Sequence, residues 1–70
     1  MYRYLSGKLR QLDIRHKDLA NILDMSAASV SHRFVGRIPW SIEEMYQIMD
    51  LIKAPYDQLH IYFPKGGISA

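Results

Sequence analysis

Cysteine is absent from the 70 residues. That excludes disulfides and thiolate metal sites, and a reducing compartment is the natural setting. Long apolar runs are missing as well: none approaches the ~20 residues that cross a bilayer. The opening MYRYLSGKLR lacks the apolar centre of a secretory signal. No Gly-rich phosphate loop is present, because Gly66 and Gly67 sit in the last few residues, and no nucleophile elbow appears. The three histidines, His16, His32 and His60, are far apart, with no carboxylate at ligand spacing. These absences argue against an enzyme, and no catalytic residue, metal or cofactor is expected. A soluble cytoplasmic protein is.

What is present suffices for one small core. The apolar fraction is 49%, and a chain this short buries roughly 60% of its unfolded surface. One domain is expected over residues 1–63, followed by a flexible tail at 64–70. Charge is divided unevenly. Residues 1–40 hold seven basic residues (Arg3, Lys8, Arg10, Arg15, Lys17, Arg33, Arg37) against three acids (Asp13, Asp18, Asp24). Residues 41–70 hold two basic residues (Lys53, Lys65) against four acids (Glu43, Glu44, Asp50, Asp57). A basic half joined to an acidic half suits a polyanionic partner on one side, although a chance asymmetry gives the same numbers.

Spacing predicts five short helices and no β-hairpin. Leu5, Leu9 and Leu12 fall on one face of the first, and Asp13 is placed to turn the chain. Leu19, Ala20, Ile22 and Leu23 define a second, starting near Arg15 or His16 and broken at Asp24. Ser26 is the expected N-cap of a third, with Val30 and Phe34 inward and Gly36 ending it. Ser41 and Glu44 form an S-x-x-E capping box for a fourth, with Trp40 and Met45 as its hydrophobic staple. Ile42, Met45, Ile48, Met49 and Ile52 make its apolar stripe, and Lys53 complements its dipole. Met45, Tyr46 and Met49 suit core filling or a partner groove. Pro55 opens a fifth helix through Tyr62, with Leu59, Tyr56 and Phe63 inward.

The third helix is unusual. Its outward face carries Ala27, Ala28, Ser29 and Ser31, where an ordinary solvent face would favour Lys, Glu or Gln. Small side chains let a helix approach a groove floor and expose its N-terminal N–H groups to phosphate. Two short helices joined by a tight turn, the second opening this way, follow helix-turn-helix logic.

The stretch LRQLDIRHKDLANILDMSAASVSHRFVGR resembles the phage repressor and Cro-type helix-turn-helix family, over about residues 4–63. KDLANIL, SAASVSHRFVGR and W-S-I-E-E-M are similar to small regulators of phages infecting Gram-positive bacteria. The resemblance implies a compact all-α, five-helix bundle of the lambda-repressor-like DNA-binding type, with the helix-turn-helix in helices 2 and 3. It implies a transcriptional regulator in a bacterial host that inserts helix 3 (about 27–35) into the major groove of a palindromic double-stranded operator. Ala27, Ala28, Ser31 and His32 then face base edges, while Arg15, His16, Lys17, Ser26, Ser29 and Arg37 face phosphates. Alanine offers apolar contact, for example to a thymine methyl, and His32 is the one long polar side chain at the bases. Arg33 fits either the DNA backbone or a pairing with an acid.

The chain departs from the family pattern in four places. Asp13 and Asp24 stand where glycine is usual, Arg15-His16 replaces Thr-Gln, and Val35 replaces a residue that is often Asn. In this family the region after the fourth helix commonly pairs two subunits. The terminal aromatics (Tyr2, Tyr4, Tyr56, Tyr62 and Phe63) suit a homodimer interface or closure of the bundle. The alternative function is a protein-binding module on the same scaffold, an anti-repressor or antitoxin-like adaptor that does not touch DNA.

Overall fold

Four helices of this chain end on the same backbone device. In the computed structural model, which describes residues 2–64, α1 spans Arg3–Gln11, α2 His16–Leu23, α3 Ala27–Phe34 and α4 Ile42–Leu51. After each, one residue takes positive φ: Asp13 (58°), Asp24 (56°), Gly36 (85°) and Lys53 (57°). The amide after that residue then reaches back into the last turn of the helix. Ile14 N–H donates to Leu9 O (2.8 Å), Met25 to Ala20 O (2.9 Å), Arg37 to His32 O (2.9 Å) and Ala54 to Met49 O (3.0 Å). This is the Schellman stop, which satisfies the last carbonyls and reverses the chain within a few residues. Only one of the four stops uses glycine, so three carry a side chain in a conformation that favours its absence.

The starts of α3 and α4 are capped as their sequences predict. Ser26 Oγ accepts from Ser29 N–H at 3.1 Å. Ser41 Oγ accepts from Glu44 N–H at 3.1 Å, and Glu44 Oε1 accepts from Ser41 N–H at 3.0 Å. A 3-10 turn at Tyr56–Gln58 follows α4 and leads into a short α5, Leu59–Tyr62. The fifth helix is therefore a single turn of α-helix after a tighter turn, not a continuous helix from Pro55. The described residues form no strand. The fold is a small all-helical bundle measuring 28 × 27 × 20 Å.

Leu5, Leu9, Leu19, Ala20, Val30, Met45, Ile48, Met49 and Ile52 make the aliphatic core. Tyr2, Phe34, Trp40 and Phe63 close it as an aromatic cluster. Trp40 meets Phe34 edge-on at 5.5 Å and Phe63 at 5.8 Å, and Tyr2 meets Phe63 at 6.0 Å. The two edge-on Trp40 pairs add ~0.5–1.5 kcal/mol each beyond the area they bury. Tyr2 and Phe63 therefore close the bundle rather than waiting for a second subunit.

Several apolar positions expected to point inward do not. Leu12, Ile22, Ile42 and Tyr56 are exposed. Leu12 sits at the C-cap of α1 and Ile42 is the first residue of α4, where the chain has only just left or joined the helical face. Ile22 lies at the flank of the α2 stripe set by Leu19, Ala20 and Leu23. Lys53 stands beyond the last turn of α4, in the left-handed position, not within the helix. The stretch KGGISA, expected to be a tail, lies outside the described residues.

Candidate nucleic-acid interface

The α2–turn–α3 unit is closely packed, and its turn is only Asp24, Met25 and Ser26. At the start of α2, Arg15 occupies the N-cap, yet its side chain holds only donors. Asp18 makes only the reciprocal half of a capping box: its Oδ2 accepts the Arg15 N–H at 3.0 Å, and no side chain caps the first amides of the helix. Arg15, His16 and Lys17 are left exposed around the positive end of the helix. Beside them a shallow groove of about 350 Å³ is lined by Arg10, Arg15 and His16 among others.

On α3, Val30 and Phe34 are buried and the opposite side is open. Ala27, Ala28 and Ser31 are exposed, and His32 is half-buried. At ~100° per residue these four share one side of the helix, so the expected base-facing set is brought together. Val35, 66% exposed, extends the same side. In the sequence Val35 stands out only as a departure from a family pattern, although its four-residue spacing from Ser31 is a signal for this placement.

The expected phosphate-facing residues divide. Ser26 and Ser29 lie at the first turn of α3, where the Ser26 hydroxyl donates to Ser29 Oγ at 3.1 Å. Ser29 is half-buried, but its own hydroxyl proton stays free for an acceptor. Arg15, His16 and Lys17 group at the start of α2. Arg37 follows the left-handed Gly36 and is exposed, with its amide tied to His32 O. The His16 ring stacks on Phe34 at 4.5 Å and 18°. That contact lays the start of α2 over the end of α3.

Arg33, left open by the sequence, is an internal strut. Its Nε donates to Glu44 Oε1 at 3.1 Å and its Nη2 to Glu44 Oε2 at 3.2 Å. Its Nη1 donates to the Ser29 carbonyl at 3.1 Å, and the guanidinium lies 5.9 Å from the Trp40 ring centre. The two side chains are only 15% and 18% exposed. Burial pushes the Glu44 carboxyl up. The Ser41 N–H and the Arg33 guanidinium outweigh it, and the carboxyl sits below its ordinary value. The capping box marks Glu44 as engaged, but it gives no sign that the second carboxylate oxygen holds an arginine.

Among the described residues, no group of three or more His, Cys, Asp or Glu is placed to hold a metal. No helix there is long and apolar enough to cross a membrane.

These features define a small helical bundle that presents a bare helix face beside a cationic helix start. The chain belongs to the BetR domain family, whose model matches residues 10–68. No curated protein and no solved structure matches it significantly.

Proposed function

We propose that this protein is a sequence-specific DNA-binding transcriptional regulator of the phage repressor and Cro type, acting in the cytoplasm of a bacterial host. The observation that carries this reading is the open side of α3. Ala27, Ala28, Ser31 and His32 stand there together, behind a Ser26 cap and over a face anchored by Val30 and Phe34. In this reading α3 enters the major groove. Arg15, His16 and Lys17 at the start of α2, Ser29 at the start of α3, and Arg37 after it hold the phosphates, while the Ser26 hydroxyl, already donating to Ser29 Oγ, orients Ser29 instead.

The operator is palindromic and is read by a homodimer. The domain's longest extent of 28 Å is shorter than the ~34 Å between half-sites one helical turn apart. One copy therefore serves one half-site. Tyr2 and Phe63 being committed to the core and Tyr62 packed partly against it, the exposed Tyr56 is the C-terminal aromatic left for pairing.

A salt titration of binding to random duplex DNA tests the reading. The regulator predicts that log K falls linearly with log salt. Lys17→Ala should weaken all duplexes alike and flatten that slope, whereas His32→Ala should chiefly relax sequence preference. Val35 favours a second reading. An exposed valine on the face meant for a groove suits an apolar protein partner, as in an adaptor that does not touch DNA. No binding to duplex DNA at low salt would leave that reading standing.

A further inference from the structure

We propose that Arg33 and Glu44 are positioning residues that set the angle at which α3 is presented to DNA, Arg33 itself making no phosphate contact. The inference rests on the regulator reading above. Three observations carry it.

First, the guanidinium is already engaged. Three of its five N–H donors are used, two by the Glu44 fork and one by the Ser29 carbonyl. Its carbon lies over the Trp40 ring, 5.9 Å from the ring centre. A cation held this way and 15% exposed is poorly placed to swing out to a phosphate.

Second, the pair ties the end of α3 directly to the start of α4. Arg33 is in the last turn of α3 and Glu44 in the first turn of α4, while α3 packs closely on α2. The chain between them, residues 35–41, contains no helix. At this end the orientation of α3 against α4 is set by this bidentate contact, which constrains direction as well as distance, together with the edge-on packing of Phe34 on Trp40.

Third, the acceptor is itself held. Glu44 Oε1 also takes the Ser41 N–H, and the Glu44 N–H donates to Ser41 Oγ. The carboxylate is oriented before Arg33 meets it.

The test compares Arg33→Lys, Arg33→Met and Glu44→Gln in the full chain. Binding is measured to a duplex selected from a random pool and to a random duplex, at several salt concentrations below each variant's melting transition. Lysine keeps the charge but cannot form the fork. Positioning predicts that all three variants lose about tenfold of their preference for the selected duplex, one base contact's worth, with the wild-type salt slope. The emission of Trp40, the single tryptophan, should shift in each variant without DNA present.

If Arg33 instead binds phosphate, Arg33→Lys stays near wild type and Arg33→Met lowers the salt slope by about one. Glu44→Gln then tightens binding to both duplexes. That pattern overturns the proposal, and so does full retention of preference in all three. Should Arg33→Met fail to melt cooperatively, Glu44→Asp takes its place, with shorter reach, unchanged charge and the same expected loss. Wild-type protein that binds neither duplex overturns the regulator reading together with this one.

Discussion

The imidazole of His16 lies 4.5 Å from the ring of Phe34 and nearly parallel to it. It links the first residue of α2 to the last residue of α3. His16→Ala should lower stability by about 0.5 kcal/mol, the lower end for an aromatic pair because His16 is exposed. His16→Phe should keep the melting temperature yet remove the donor expected at phosphate. If both variants melt alike, the stack contributes nothing to holding the two helices.

Three of the four helix stops carry a side chain at positive φ. Replacing Asp24 or Lys53 by glycine removes a conformational cost of ~1–2 kcal/mol, offset by the greater freedom of glycine in the unfolded chain. A net gain of about 0.5–1 kcal/mol is expected, larger at Lys53 because aspartate tolerates this region better than lysine. Asp24→Val should destabilise by more than either gain. Urea melts of the three variants decide the order.

The two serine caps can be weighed against each other. Ser26→Ala removes the acceptor for Ser29 N–H and should cost about 1 kcal/mol. Ser41→Ala should cost more, since it also loosens the carboxylate that holds Arg33. Equal losses in thermal denaturation would show that the cap and the ion pair act independently.

Glu44 gives the stability a definite pH dependence. Its folded carboxyl lies below the ordinary value of 4.5. A carboxyl depressed by folding contributes stability that is present above the unfolded value and lost as pH falls through the folded one. The wild type should therefore weaken below about pH 4.5, and Glu44→Gln should lack that component of the decline. Melting temperatures that fall in parallel for the two proteins as pH is lowered from near neutral to well below 4.5 would refute the assignment.

The parts of this fold that depend on neighbours along the chain are legible in the sequence. Ser26, and Ser41 with Glu44, announce helix starts because a cap is satisfied within three residues. Asp13 and Asp24 mark stops because few residues accept left-handed backbone. Lys53 makes the same stop with no residue-type signal, so the sequence alone reads it as a charge at the helix end. Ile22 and Ile42 fit the apolar period but flank the buried strip, whose width is set by the packing partner rather than by the helix. Arg33 is undecidable from sequence for a related reason. Its partner lies eleven residues away, across a bend whose shape no local pattern specifies. The bare side of α3 is legible as a set, while Val35 joins it only once the helix end is placed.

The contact between Tyr2 and Phe63 has a bearing on how the protein is made. Tyr2 and Phe63 stand at opposite ends of the described residues, so the aromatic cluster closes only after the chain between them has been made. α2 and α3, adjacent in sequence, can pair while the chain is still attached, because their contacts close only a short loop. The α2–α3 pair can thus take shape before the core that steadies it. A chain stalled ahead of Phe63 would display that pair on an unfinished, apolar and aggregation-prone body.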